Sequence, residues 1–242
     1  MISNKRKLNK YSFGNKKSFI CIENIQKIND EKKVDISINN KTYSFKTSLI
    51  GKVQIKNLIF AITAAYLSKL KIKNILNSIK KIKPITGRLE KIGKINNKSK
   101  VILDYAHTPD ALKTLITNIK EEYPLSKISL VFGCGGNRDK SKRSIMGNIA
   151  SKYCDKVYLT DDNPRNENPK KIRNEIKNTI DNFKLIEISS RKKAIENAID
   201  NLNVGDILLV AGKGHETYQE HKGKRKIFSD KNYIFKEIKK KN

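Results

Sequence analysis

Residues 207–216 read Ile-Leu-Leu-Val-Ala-Gly-Lys-Gly-His-Glu, five apolar residues that run without a polar break into two glycines, a lysine, a histidine and a glutamate. An apolar run of that length and continuity suits a strand buried on both faces, as in a parallel sheet. The same arrangement recurs upstream. Strands are predicted at 101–104, 128–132, 157–160 and 185–188, and helical periodicity fills the intervals at 110–122, 142–152, 169–182 and 191–201, with a last helix at 231–240. Alternation of buried strands with amphipathic helices predicts an α/β fold, a doubly wound, mostly parallel sheet covered on both faces.

Ligands of such sheets gather at the carboxyl ends of the strands, where loops converge and helix N-termini present unpaired N–H groups. The chemically unusual residues of this half fall at that edge. They are Asp104-Tyr105-Ala106-His107-Thr108-Pro109, then Gly133-Cys134-Gly135-Gly136-Asn137-Arg138-Asp139-Lys140, then Asp161-Asp162-Asn163-Pro164-Arg165, and finally Gly212-Lys213-Gly214-His215-Glu216. Each cluster alone has an ordinary reading, since Asn-Pro and Gly-Gly are common turn chemistry and Asp110 supports a helix start. Their shared placement favours a site, because purely structural turns would be spread over both edges. The glycine loop at 133–136 lacks the Gly-Lys-Ser/Thr ending of a P-loop, and no such loop occurs anywhere in the sequence.

Ahead of this region, Val34-Asp35-Ile36-Ser37-Ile38 and Tyr43-Ser44-Phe45 alternate apolar and polar residues around Asn39-Asn40, which predicts strand, turn and strand at a sheet edge. Helical patterns follow at 55–70 and 72–82, the second stopped by Pro84. The boundary between the two parts is placed in the Pro-Ile-Thr-Gly segment, giving regions 1–86 and 87–242.

Composition narrows the function. Lys and Arg number 52 against 24 Asp and Glu, a formal charge of +28, so nucleic acid or an anionic surface must be considered. The lysines are spread along the chain among Ile and Asn, and no basic stretch carries the interleaved aromatics of an RNA-binding strand, which favours solvated faces over a specific nucleic-acid surface. Three irregularly spaced cysteines make neither a disulfide framework nor a zinc site, so no metal ligands are expected and a reducing cytoplasm fits. No run of eighteen apolar residues is present, and the basic start at 1–17 is not followed by an apolar signal core, so neither a membrane span nor an export signal is expected.

The ordered set Gly87-Arg88-Leu89-Glu90, Asp104 through Pro109, the loop from Gly133 to Arg143, Asp162-Asn163-Pro164-Arg165 and Gly212 through Glu216 resembles the C-terminal half of the Mur ligases, specifically the UDP-N-acetylmuramoyl-tripeptide synthetases that add meso-diaminopimelate (the MurE type). A weaker match, Gly51 through Asn57 and Ala61, resembles a segment near the end of the family's central domain, with Val53 and Gln54 in place of its Phe and Asn. The resemblance implies a Rossmann-like C-terminal domain preceded by the end of a central ATPase domain. It implies that ATP, with Mg2+, activates a carboxylate of UDP-MurNAc-L-Ala-D-Glu as an acyl phosphate, which the amine of meso-diaminopimelate then attacks.

In the roles the resemblance implies, Arg88 and Asp104 contact the nucleotide on phosphate and ribose, His107 assists beside them, and Asn57 is a further nucleotide contact. An interdomain salt bridge is the other reading of Arg88. Arg138 and Arg165 supply guanidinium forks for carboxylates, Asn163 a neutral donor and acceptor, Gly212 a backbone carbonyl and Glu216 the acid for the distal ammonium, with Asp162 and Pro164 completing the Asp-Asn-Pro-Arg motif. An Arg at 165 favours diaminopimelate over lysine, since a buried guanidinium without a distal carboxylate would lack its partner. The sequence matches about half of a family member, so the P-loop, most Mg2+ and ATP contacts and the sugar-gripping domain are expected in an N-terminal half, separately encoded if the gene is split and otherwise part of one longer protein. The alternatives are a binding module that keeps the diaminopimelate pocket without catalysis, a basic nucleic-acid-binding protein, and another Mur or folylpolyglutamate-type ligase, against which the Asp-Asn-Pro-Arg and Gly-Lys-Gly-His-Glu motifs speak.

Overall fold

The computed structural model describes residues 10–14, 18–96 and 98–242, which form two compact units divided after Pro84. Most of the basic stretch at 1–17 lies outside the described residues.

The first unit carries a four-stranded sheet, β1 (Phe13–Gly14), β2 (Ile20–Ile28), β3 (Glu31–Ile38) and β4 (Lys41–Thr47), in that order, with helices α1 (Gly51–Leu67) and α2 (Ile72–Ile79). Asn39 and Asn40 turn the β3–β4 hairpin with φ of 48° and 61°, the left-handed conformation that a two-residue hairpin requires and asparagine tolerates. Ile55, Leu58, Ile59 and Ile62 of α1 recur at helical spacing and bury against Val34, Ile36 and Phe45. Asn57 lies on the exposed side of α1, and Gln54 accepts the amide of Ile50 at 3.0 Å, which stabilises the helix start.

The second unit has a six-stranded sheet in the order β5 (Glu90–Ile95), β6 (Ser99–Asp104), β10 (Ile207–Ala211), β7 (Ile128–Phe132), β8 (Lys156–Leu159) and β9 (Leu185–Glu187). All neighbours pair in parallel except β5, which runs antiparallel to β6 with a register shift between Lys91 and Gly93. Helices α3 (Pro109–Glu122), α4 (Lys142–Tyr153) and α5 (Pro169–Lys177) pack successively on one another, whereas α6 (Arg191–Asp200) packs with α7 (Asp230–Lys241). Ala194, Ile195, Ala198 and Ile199 of α6, with Ile234 and Ile238 of α7, cover Val101, Leu103, Val131, Tyr158, Leu208 and Val210. Side-chain alternation sends Ile102, Leu130, Phe132, Leu159 and Leu209 to the face of α3–α5. Every residue of β10 is fully buried, as its apolar run predicts, and each large side chain contributes about 1.5–3 kcal/mol by burial.

The doubly wound α/β fold is confirmed, and β10 occupies its centre. The chain leaves β7 toward α4 on one face and leaves β10 toward α7 on the other, so a crevice opens where their carboxyl ends diverge. The sequence reading missed β5 and the hairpin of β11 (Tyr218–His221) and β12 (Lys224–Ile227). Both are partly or fully exposed, and their lysines and glutamates carry little strand signal. The helix expected at 169–182 ends at Lys177, and that at 72–82 ends at Ile79. Neither overrun packs a further helical turn, so the periodic apolar residues Ile180 and Ile82 extended the pattern beyond the helix.

Candidate amino-acid site at the carboxyl edge

Three loops and the end of β10 surround a cavity of about 560 Å³ at the carboxyl edge of the sheet. His107, Arg138, Asp162, Asn163, Arg165, Gly212 and Glu216 line it, so seven of the residues singled out in the sequence meet there. Cys134, Lys142 and Tyr105 join them.

Backbone approach builds the walls. A side chain at Gly133 would collide with the Thr160 carbonyl, and one at Gly136 with the Pro164 carbonyl, so these glycines let the loops after β7 and β8 lie in contact. The Gly136 amide donates to Asn163 O at 2.9 Å. Pro164 thus shapes the wall through its carbonyl and is absent from the lining.

Fully buried Arg143, at the start of α4, fastens the same loop. It donates to Glu175 at 2.7 Å, to both oxygens of Glu167 at 3.0 Å and to Gly135 O at 3.4 Å. The Glu167 carboxyl is held below its ordinary value chiefly by that Arg143 bond, helped by the Asn137 amide.

The polar lining carries both charges. Arg165, in left-handed backbone with φ 50°, donates from Nη1 to Gly136 O at 2.8 Å and keeps Nε 3.8 Å from Glu220. Arg138 is exposed at the mouth. Glu216 accepts from Lys213 Nζ at 2.8 Å and from Asn163 Nδ2 at 2.9 Å. Burial alone would raise the Glu216 carboxyl, but Lys213, Asn163 and Arg165 outweigh it and hold the group below its ordinary value, as a carboxylate. Lys142 donates to His107 O at 2.8 Å, tying the loop after β6 to α4. The Cys134 thiol is pushed up to about 12 by burial, which leaves no reactive thiolate at neutral pH.

Beside the cavity, Tyr105 carries the Arg88 guanidinium 4.6 Å from its ring centre and is flanked by the rings of His107 and His215 at 4.6 and 5.1 Å. Asp104 accepts the Leu89 amide and the Ala106 amide, each at 2.7 Å, so its carboxylate fixes the segment that bears Arg88. Burial raises the Asp104 carboxyl, against the pull of those amides and of Arg88.

Lys213 and Glu220 were not singled out from the sequence as site residues. Lys213 was legible, since it lies within the Gly-Lys-Gly-His-Glu motif. Glu220 was not, because it reaches the site only through β11, which pairs its backbone with the segment at Arg165: the Arg165 amide donates to Glu220 O at 3.1 Å and the Lys222 amide to Arg165 O at 2.7 Å.

Among the described residues no group of three His, Cys, Asp or Glu could hold a metal ion, and no helix is long and apolar enough to cross a membrane.

Residues 87–214 match the family model described as Mur ligase, glutamate ligase domain. The chain is 44% identical over 207 residues to the UDP-N-acetylmuramoyl-L-alanyl-D-glutamate–2,6-diaminopimelate ligase of Rickettsia montanensis, covering 85% of this chain and 42% of that protein. It is 39% identical over 200 residues to the ligase of the same name from Chlorobaculum tepidum, with 82% and 39% covered. A solved structure of a ligase of that name superposes with a TM-score of 0.71 at 30% identity, over 95% of this chain and 47% of the other. The folylpolyglutamate synthase of Thermotoga maritima, at 20% identity and a TM-score of 0.65, shares the fold. The chain spans less than half the length of the curated relatives it matches.

Proposed function

The chain belongs to the Mur ligase family, whose glutamate ligase domain covers more than half of it, and from this premise we propose that it is the amino-acid-selecting half of an ATP-dependent ligase that adds meso-diaminopimelate to UDP-MurNAc-L-Ala-D-Glu. The observation that carries this reading is that the guanidinium groups of Arg138 and Arg165 and the carboxylate of Glu216 line one cavity of about 560 Å³. A distal centre bearing both a carboxylate and an ammonium would match that pair of charges. At that centre lysine offers the ammonium alone, so Arg165 would gain no ligand carboxylate beyond its contact with Glu220.

In this reading the reacting amine of the bound amino acid attacks an acyl phosphate, forming the amide as phosphate leaves. The chain's contribution is to hold the nucleophile in place, which converts an encounter into an effectively unimolecular step. Arg88, with Asp104 fixing its loop and His107 nearby, forms the nucleotide edge of the second unit. The sequence holds no Gly-Lys-Ser/Thr loop, so activation by ATP and Mg2+ is assigned to residues outside it, in an N-terminal half that is the expected partner. The positive charge is spread over solvated faces and is given no nucleic-acid role.

Isothermal titration of meso-diaminopimelate and of L-lysine into the chain, with and without the N-terminal half, tests the proposal. Diaminopimelate is expected to bind at least tenfold tighter than lysine, with amide formation only when both halves are present. Equal or absent binding of both amino acids under both conditions overturns it. Selective binding with no turnover in the combined halves leaves the binding-module reading in its place.

A further inference from the structure

Lys213 is fully buried, and its ammonium has two polar partners, Asn163 Oδ1 at 3.0 Å and Glu216 Oε2 at 2.8 Å. The ring of Tyr218 lies 5.6 Å from the same ammonium. A lysine is seldom enclosed this completely, because its charge must be matched by a partner held in good geometry. The partners here are two side chains of the candidate pocket, one on the loop after β8 and one on the loop after β10.

The consequence lies in the Asn163 amide. Its oxygen has two lone pairs, and both are occupied: one by Lys213 Nζ and the other by the Glu220 backbone amide at 3.0 Å. Its nitrogen has two protons, one of which goes to Glu216 Oε2 at 2.9 Å. The amide cannot flip, since a flipped NH2 group would meet the Lys213 ammonium and a backbone N–H. What remains for a ligand is a single N–H donor. Glu216 Oε2 is likewise taken by two donors, and among the described residues Oε1 accepts no hydrogen bond, so Oε1 is the acceptor left for a ligand.

We propose that Lys213 is a positioning residue that sets the polarity of the pocket: it locks Asn163 as a donor-only group facing a ligand carboxylate and fixes Glu216 as the acceptor for a ligand ammonium. The proposal rests on reading the cavity as an amino-acid pocket and adds to it the group that orients its donor and its acceptor. It also changes the part assigned to Asn163, which was expected to act as both donor and acceptor. Arg165 stands on the donor side, held by the same hairpin, since Glu220 supplies its backbone amide to Asn163 and its carboxylate to Arg165. Lys213 reaches none of this through the ligand. It acts by orienting the groups that do.

The test uses the 242-residue chain and its Lys213→Met variant, which keeps an unbranched side chain one atom shorter and removes the ammonium. Titration with meso-diaminopimelate and with L-lysine reads the ratio of their affinities. With the Lys213 bond to Asn163 Oδ1 removed and the Glu220 amide alone holding that oxygen, diaminopimelate affinity is expected to fall at least tenfold and lysine affinity by much less, so the ratio collapses toward one. A merely structural lysine would weaken both ligands alike, and an unchanged ratio overturns the proposal. A ligand-free measurement separates it from the reading of the pocket. In the unsubstituted chain, the Asn163 side-chain amide protons, identified by their loss in Asn163→Asp, are expected to exchange with deuterated water at least tenfold more slowly than those of exposed asparagines. Exchange at the exposed rate overturns the lock, even if Lys213→Met fails to fold. Slow exchange in a chain that binds neither amino acid supports the lock and removes the amino-acid assignment instead.

Discussion

Arg165 Nη1 donates to the carbonyl of Gly136 at 2.8 Å, so the side chain assigned to a ligand carboxylate also joins the loop after β8 to the loop after β7. One guanidinium with five donors can do both, because the bond to Gly136 leaves the rest of the fork available. In an enzyme reconstituted from both halves, Arg165→Ala is expected to raise the Michaelis constant for diaminopimelate by about 100-fold or more, as loss of a bidentate charged contact implies. Arg165→Lys should recover only a minor part, since a point charge cannot replace a planar fork. An unchanged constant in Arg165→Ala removes the residue from the pocket.

Glu216 is held below its ordinary value of 4.5 by Lys213, Asn163 and Arg165. Its charge therefore persists from neutral pH down through the usual glutamate range. Affinity for diaminopimelate should be flat from pH 8 to about pH 5 and should fall only when protonation removes the acceptor for the ammonium. Glu216→Gln should lower affinity at least tenfold at pH 7 and abolish that acid limb. Calorimetric titrations across the pH range check both, and an acid limb retained in Glu216→Gln would assign it to another group.

Arg143 joins Glu167, Glu175 and the glycine loop while fully buried. Arg143→Met is expected to destabilise the second unit by about 2 kcal/mol at pH 7, the loss of charged hydrogen bonds partly relieved by water reaching the glutamates. The sign of the pH effect follows from Glu167, whose carboxyl is depressed in the fold. Its contribution is complete above the ordinary glutamate value and is lost as pH falls through the lower folded value. The gap between variant and parent should therefore narrow below about pH 4.5 in urea unfolding. A gap that widens there would refute the assignment.

Arg191 and Asp230 form an ion pair at 2.7 Å with both side chains wholly buried, tying α6 to the start of α7. Removing one partner strands a charge, so Arg191→Met should cost about 3–5 kcal/mol. The double change Arg191→Met with Asp230→Leu should be less harmful than either single change. Urea unfolding of the three variants measures the coupling, and additive losses would show that the pair does not act as a unit.

At Gly133 a methyl group would meet the Thr160 carbonyl oxygen, with the Asp162 amide 3.2 Å away. Gly133→Ala should therefore destabilise by about 1–3 kcal/mol, as overpacking does. It should also weaken diaminopimelate binding, because Asp162 and Asn163 follow the displaced strand end. Full affinity in a destabilised variant would show that the wall moves without disturbing the pocket.

Much of this molecule was written locally. The apolar run at 207–211 could be satisfied only by burial on both faces, and the four polar clusters fell after strands because loops are where charged and glycine residues are tolerated. The hairpin at 218–227 and the edge strand at 90–95 were not legible, since exposed strands take their conformation from partners far along the chain. The boundary shows the same division: the sequence placed it after residue 86, and backbone contacts divide the units after Pro84.

The sequence by itself determined the α/β class and the edge at which the chemistry collects, because both follow from local periodicity and composition, while seven of the lining residues were named through the resemblance of their motifs. Only the tertiary structure decided what those residues can offer a ligand. Asn163 reads in sequence as both donor and acceptor. It becomes a donor alone because Lys213, 50 positions away in sequence, and the Glu220 amide, 57 positions away, take both lone pairs of its oxygen. Hydrogen-bond saturation is a property of the packed site, and no reading of neighbouring residues along the chain can supply it.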